Sequence, residues 1–397
     1  MIDYSRDPVW LIPILPHGSV LPGALVRSLP AVAITVMLLS YERGVGGEDR
    51  VFRTSSLAHI SLWSAATALG FALLAFRIDA AYARFWEGTT LLHRMQGEWF
   101  ESASCLIAFT RKTKAARSAE VKEFRHTLVR LMSLMHGSAL ECLRRTSGET
   151  YYEVLDFEGL DMDSLRILHE AQELYGFHRV EVLLHMVQVL MTHNCMNGVL
   201  AVAPPILSRV YQTLSRGMVS YINAQKIADT MFPFPFAQCC IWFCLFHSLL
   251  SPFLVAAIIK DKAWAAVATL VPLVAMHSLN LFARELEMPY GDDPNDLPLA
   301  AWQYRFNGSM LMLLKDTSDH LCRMSDHVTL DWDEVYASIR AGESGTPDNE
   351  EDAARLQGRV VRYTTKSVTS LAQRRSVSRT VSREWSINII GRNPSAS

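Results

Sequence analysis

Charge is scarce in this chain: Asp, Glu, Lys and Arg make up 20% of its 397 residues, while hydrophobic residues make up 50%. That balance excludes a disordered polymer and is more apolar than an ordinary soluble domain. Neither sign dominates. A net charge of -2 leaves no global basic field to recruit nucleic acid and no acidic field to gather cations. Seven cysteines, spread from Cys105 to Cys322 without a Cys-x-x-Cys pair, supply neither a disulfide framework nor a zinc site. Cys239, Cys240 and Cys244 fall inside an apolar run and read as small buried hydrophobes. Catalytic signatures are missing too: there is no nucleophile elbow, no phosphate-binding glycine loop and no kinase loop. His178, His185 and His193 share one helix face by spacing, but no HExxH and no carboxylate a turn away completes a metal site. An enzyme is not expected. Asp3, Arg6 and Asp7 break up the first dozen residues, so no removable targeting peptide is expected there.

What the chain does have is long apolar runs. Crossing the hydrocarbon core takes about 20 helical residues at about 1.5 Å each. Leu57 to Phe76, Met231 to Ile259 and Ala263 to Ala283 carry no formal charge, and Lys260-Asp261-Lys262 alone separates the last two. The first follows Thr54-Ser55-Ser56 and is expected to end against Arg77. Val20 to Tyr41 is a fourth span, in which Arg27 snorkels and Pro30 interrupts the run. The spans are thus placed at about 20–41, 57–76, 231–259 and 263–283. Four spans put both termini and the long segment 77–230 on one side, expected to be cytoplasmic.

Within that segment, Val121, Phe124, Leu128, Leu131, Met132, Met135, Ala139 and Cys142 recur at helical spacing, an amphipathic helix. A second helical pattern runs from Leu165 to Leu190 and ends near Asn197-Gly198. Almost no sheet is expected, and no internal repeat is present. The segments 77–230 and 284–341 should form a helical cytosolic body, making residues 1–341 one unit. From Gly342 the chain is acidic, and then eight basic residues run from Arg355 to Arg383 with no acid among them. This Ser/Thr-rich tail, 342–397, is expected to be disordered and regulatory. Arg362, Arg375 and Arg379 stand three residues before Thr365, Ser378 and Ser382, a placement that suits phosphorylation by basophilic kinases, which would neutralise a lipid-binding basic stretch.

Two clusters carry further information. Pro289-Tyr290-Gly291-Asp292-Asp293-Pro294-Asn295-Asp296-Leu297 follows the last span and gathers three carboxylates and an amide. Such a turn is either an ordinary Pro/Asp/Asn turn or a source of oxygens for calcium. The other is Phe76-Arg77-Ile78-Asp79-Ala80-Ala81-Tyr82-Ala83-Arg84-Phe85-Trp86-Glu87-Gly88, where a span runs on into a charged, aromatic segment. This run resembles the bestrophin family of anion channels, in its bacterial, plant and fungal form more than its animal one. The acidic loop resembles the same family's motif after the fourth span, through Pro289 to Leu299, with Tyr290 where Phe is usual. Pro233-Phe234-Pro235-Phe236-Ala237 resembles the opening of the third span, and Gly18-Ser19-Val20-Leu21-Pro22 the entry to the first.

The resemblance implies an all-α membrane protein: a homopentamer with four spans per subunit and a helical cytosolic body around one central pore. It implies passive conduction of chloride, and of bicarbonate or other small monovalent anions, with no cofactor required. Phe76 aligns with the neck phenylalanine through its distance to Arg84, and Ala72 and Ala68 lie one and two turns back, where bulkier side chains are usual. Pro205-Ile206 resembles the lower constriction, with Ile206 as its residue. Asp293 and Asp296, with Asp292 beside them, match positions that bind calcium in animal members. Expected partners are further copies of the chain, chloride, bicarbonate and membrane lipids, with no nucleic acid. The plasma membrane is the expected site, an internal membrane such as the thylakoid the alternative. A non-conducting membrane scaffold or regulatory subunit is the rival function, and an alternating-access carrier finds no support in paired repeats.

Overall fold

A computed structural model describes residues 18–44, 57–144, 152–174, 176–324 and 330–343. Thr365, Ser378 and Ser382 lie outside the described residues. The chain divides into two compact units, Met1–His320 and Leu321–Ser397, a division some twenty residues before the expected one. In the second unit the described structure is one helix, α10 (Trp332–Glu343), whose first turn is opened by Asp331 accepting from the Asp333 and Glu334 amides.

The first unit is all-helical among the described residues. Its helices are α1 (Leu21–Gly44), α2 (Leu57–Phe109), α3 (Ser118–Leu143), α4 (Met162–Glu173), α5 (Arg179–Met196), α6 (Pro204–Asp229), α7 (Phe234–Ile258), α8 (Lys262–Glu287) and α9 (Leu299–Leu314). Four of these, α1, α2, α7 and α8, are long and apolar enough to cross a membrane. Only 17% to 33% of their apolar windows is buried in the single chain. A soluble bundle would have to hide those surfaces; lipid or neighbouring copies must cover them here.

Small residues let α1 approach α8 closely. Ala24, Ser28, Ala31, Thr35 and Leu39 are buried at three- and four-residue steps along α1, and Thr35 shares a 3.0 Å hydrogen bond with Thr269 of α8. Thr67 of α2 meets His247 of α7 at 3.1 Å, and Ser248 meets His277 at 2.9 Å. These bonds satisfy polar groups that hydrocarbon would leave stranded. Prolines 30, 252 and 272 all sit inside membrane helices, as the bilayer environment tolerates. Asp261 caps α8 by accepting from the Ala263 and Trp264 amides at 3.0 Å, so the Lys260-Asp261-Lys262 break is a true helix start.

Two sequence expectations differ from the fold, and a third is extended by it. The helix that carries the second span runs on past Arg77: α2 continues unbroken for 53 residues, about 80 Å at 1.5 Å per residue, far beyond a bilayer core of about 30 Å. Its inner half buries Ala81, Leu92, Met95, Trp99, Ala103 and Leu106 in the body. Charge at the membrane boundary changes the helix's surroundings without breaking its backbone. The pattern from Leu165 to Leu190 is two helices, because Gly176 between them adopts φ +65°, a left-handed turn that suits glycine. Helix α3 is amphipathic only in its first half. Residues 131–140 are all buried, since α5, α6 and α9 pack around it.

The buried polar groups of that central stretch are matched rather than exposed. His136 Nδ1 lies 2.6 Å from Gln303 Oε1, and Ser133 donates to Asn307 at 2.7 Å. Asn307 in turn donates to the Glu153 carbonyl at 2.6 Å. Helix α6 lies flush on α2, with Gly217 against the Trp99 indole, which donates to the Leu214 carbonyl at 3.4 Å. Of the three clustered cysteines, Cys240 and Cys244 are buried and Cys239 is exposed.

Candidate functional site

Arg77 and Arg84 are seven residues apart, so two helical turns bring them to one face of α2. Arg77, nearly buried, donates from Nε to Glu287 Oε1 at 2.7 Å and from Nη1 to Asn280 Oδ1 at 2.6 Å, both on α8. Its guanidinium also sits 5.6 Å from the Phe232 ring centre. Arg84 donates to the Ile227 and Thr230 carbonyls at 2.9 and 2.8 Å, closing the C-terminus of α6. Both cations therefore hold α2 against α6 and α8 from behind.

The opposite face is left without partners in the single chain. Ala65, Ala68, Leu69, Ala72, Ala75, Phe76, Asp79, Tyr82, Ala83 and Trp86 are exposed and follow one another at three- and four-residue steps. Phe76 is 72% exposed, although its neighbours Leu74 and Arg77 are buried. The expected neck residues Phe76, Ala72 and Ala68 thus share one stripe. Leu69 joins it, while Leu73 packs inward against the cluster of Leu74, Cys240, Cys244 and Met276. Tyr82 and Trp86 stack along the same stripe with ring centres 6.4 Å apart.

Ile206 lies in the first turn of α6, which Pro204 and Pro205 open, and is 49% exposed. It presents an apolar side chain to the surface rather than to the core.

The acidic loop is a clasp of hydrogen bonds. Asp296, buried, accepts the Asp293 amide at 2.7 Å and returns its own amide to the Asp293 carbonyl at 2.9 Å. Leu297 donates to the Pro289 carbonyl at 3.0 Å, and Asn295 reaches the Gly18 carbonyl before α1 at 3.0 Å. Asp292 is paired with Arg144 after α3. Burial pushes the Asp296 carboxyl up to about 6, against the pull of the Asp293 amide. Gly291 lets this happen, since a Cβ there would meet the Asp296 carboxylate. Among the described residues no three His, Cys, Asp or Glu side chains converge on a point where a metal could sit. Asp292 is held by Arg144 and Asp296 by the Asp293 amide, so two of the three aspartates already serve the loop's own structure.

His178 stands just before α5 without a side-chain capping bond, and His185 and His193 are exposed along it; His193 contacts Asn197 at 2.8 Å. Sequence reasoning missed the roles of Arg77 and Arg84. Their seven-residue spacing was the available signal, and their partners on α8 lie more than 200 residues away.

A family model of the bacterial/fungal bestrophin proteins matches residues 1–311. Solved structures agree in fold. A bacterial bestrophin homologue from Klebsiella pneumoniae is 18% identical, covering 73% of this chain and 97% of its own with a TM-score of 0.57. A substituted form of that homologue is 20% identical, covering 73% and 98%, also with a TM-score of 0.57. No curated protein matches the sequence. The matched region coincides with the helical first unit, and the chain belongs to the bacterial/fungal bestrophin family.

Proposed function

We propose that five copies of the chain surround one central pore and conduct chloride, and bicarbonate or other small monovalent anions, passively across a membrane. Bestrophins are a family of anion channels rather than enzymes, and the four apolar helices make this an integral membrane protein. The observation that carries the finer reading is the unpartnered stripe on α2. A helix anchored from behind by Arg77 and Arg84 has a free face of small and aromatic side chains, as a water-filled neck requires. Phe76 narrows the neck, and Ala72 and Ala68 widen it above. An apolar ring of this kind gates by dewetting, and the weakly positive edges of Phe76 rings tolerate a halide. Ile206 forms the second, inner constriction.

The side of the membrane that holds the body is the cytoplasmic one, at the plasma membrane. The acidic loop serves as a structural clasp joining the start of α1, the end of α8 and the body. Calcium does not control the pore in this reading. The test is planar-bilayer recording of the purified full chain, with and without chelator. Phe76→Ala should raise unitary conductance in a correctly assembled oligomer. A silent, well-folded wild-type oligomer would favour a membrane scaffold, unchanged conductance in Phe76→Ala would remove the neck assignment, and chelator-sensitive current would restore calcium to the loop.

A further inference from the structure

The same stripe holds a feature that an anion path does not call for. Asp79 follows Phe76 by three residues, about 4.5 Å further along the helix, and is exposed on the same face. It has no partner among the described residues. The two cations of this segment, Arg77 and Arg84, are turned away into α8 and α6. From Ala65 to Trp86 the free face therefore presents a single formal charge, and it is negative. The next charged group on this face is Glu87, which lies 3.8 Å from Lys226.

We infer that Asp79 sets the charge preference of the pore, admitting small monovalent cations beside anions just inside the Phe76 constriction. The inference rests on the pore reading of the α2 stripe. One carboxylate per subunit, repeated by symmetry around the axis, makes a ring of like charge, and such rings attract cations and repel anions at short range. Phe76 supplies only a weak ring-edge field in the other direction. A full charge outweighs that field wherever the ion passes both. Along its own helix Asp79 has Ala75 and Ala83 four residues to either side and Phe76 and Tyr82 three, none of them charged, and the carboxylate stays exposed among them.

The experiment is reversal-potential measurement on the reconstituted full chain under asymmetric potassium chloride, for wild type, Asp79→Asn, Asp79→Lys and Asp79→Glu. Asp163→Asn, an exposed acid at the start of α4, is the control. The anion-to-cation permeability ratio should rise by about threefold or more in Asp79→Asn. It should rise further in Asp79→Lys and stay at the wild-type value in Asp79→Glu and the control. Gel filtration of each variant checks assembly. Currents whose ratio is the same in all five proteins would overturn the role of Asp79 while leaving the channel reading intact. A ratio that moves equally in Asp79→Glu would overturn a charge mechanism. A silent wild type would overturn the channel reading itself, and this inference with it.

Discussion

Loss of the Arg77 side chain should cost the fold heavily. Its guanidinium and the Glu287 carboxylate are 5% and 12% exposed, with Nε to Oε1 at 2.7 Å. Truncation to Met leaves Glu287 shielded and unpaired, which typically costs about 3–5 kcal/mol. Asn280 loses the partner of a 2.6 Å bond as well, a further loss of about 1 kcal/mol. Against a total stability of about 5–15 kcal/mol for a typical domain, that is enough to empty much of the folded state. The cost is not the worth of the pair itself, because bringing both charges out of water was expensive. Arg77→Met combined with Glu287→Gln removes both charges and should recover more than half of the loss. Chemical unfolding in detergent, with gel filtration to follow assembly, gives all three values. A single Arg77→Met variant within about 1 kcal/mol of wild type would refute the buried-charge reasoning, and a double variant no better than the single would refute the pairing.

Two buried groups should give opposing pH dependences. Burial holds His136 down to about 4, so unfolded chains take up its proton first and stability falls as the pH drops from about 6.5 toward 4. Burial holds Asp296 up to about 6, so its charge costs stability as the pH rises from about 4 to 6. Each effect is at most about 3–3.5 kcal/mol; His136→Gln should unmask the second slope and Asp296→Asn the first, and superimposable profiles for all three proteins would contradict both. Tyr290→Phe should stabilise the protein by about 1 kcal/mol, because the Tyr290 hydroxyl is buried against Gly88 with no hydrogen-bond partner among the described residues. A destabilised Tyr290→Phe in thermal unfolding would show that the hydroxyl is satisfied.

The membrane helices were legible because their signal is local: a charge-free run of about 20 residues is readable without knowing any partner. The four motif regions were legible for a related reason: three lie at helix boundaries where prolines, glycines and charges cluster, and the fourth, Phe76 to Gly88, stands where an uncharged run inside α2 turns charged and aromatic. What was not legible depended on distant chain. Arg77 looked like a stop at the membrane edge, and only Glu287 and Asn280 reveal it as a tie inside the fold. Helix α3 read as amphipathic along its whole length, yet residues 131–140 are buried all round, and Gln303 and Asn307 of α9 satisfy His136 and Ser133 in the core. The acidic loop read by composition as either an ordinary turn or a source of oxygens for calcium. The partners of two of its carboxylates, the Asp293 amide and Arg144, were not legible, because composition does not encode direction.

The continuity of α2 links these observations. Phe76, Asp79, Tyr82 and Trp86 ride on the same helix that Arg77 and Arg84 pin and that Trp99 packs into the body. Turning Phe76 out of a pore by rotating α2 would break both Arg77 bonds and uncap α6. It would also drag the Trp99 indole across Gly217, where a Cβ would already collide. Rigid rotation of α2 is therefore the costly way to move Phe76. The cheap way is a rotamer change of Phe76, which touches little of its own chain because Ala72, one turn before it, and Leu69, two turns before it, leave its ring 72% exposed. The proposed neck should therefore respond to substitutions at Phe76 and Ala72 in conductance without loss of assembly. Substitutions at Arg77 and Arg84 should cost assembly first and conductance only as a consequence.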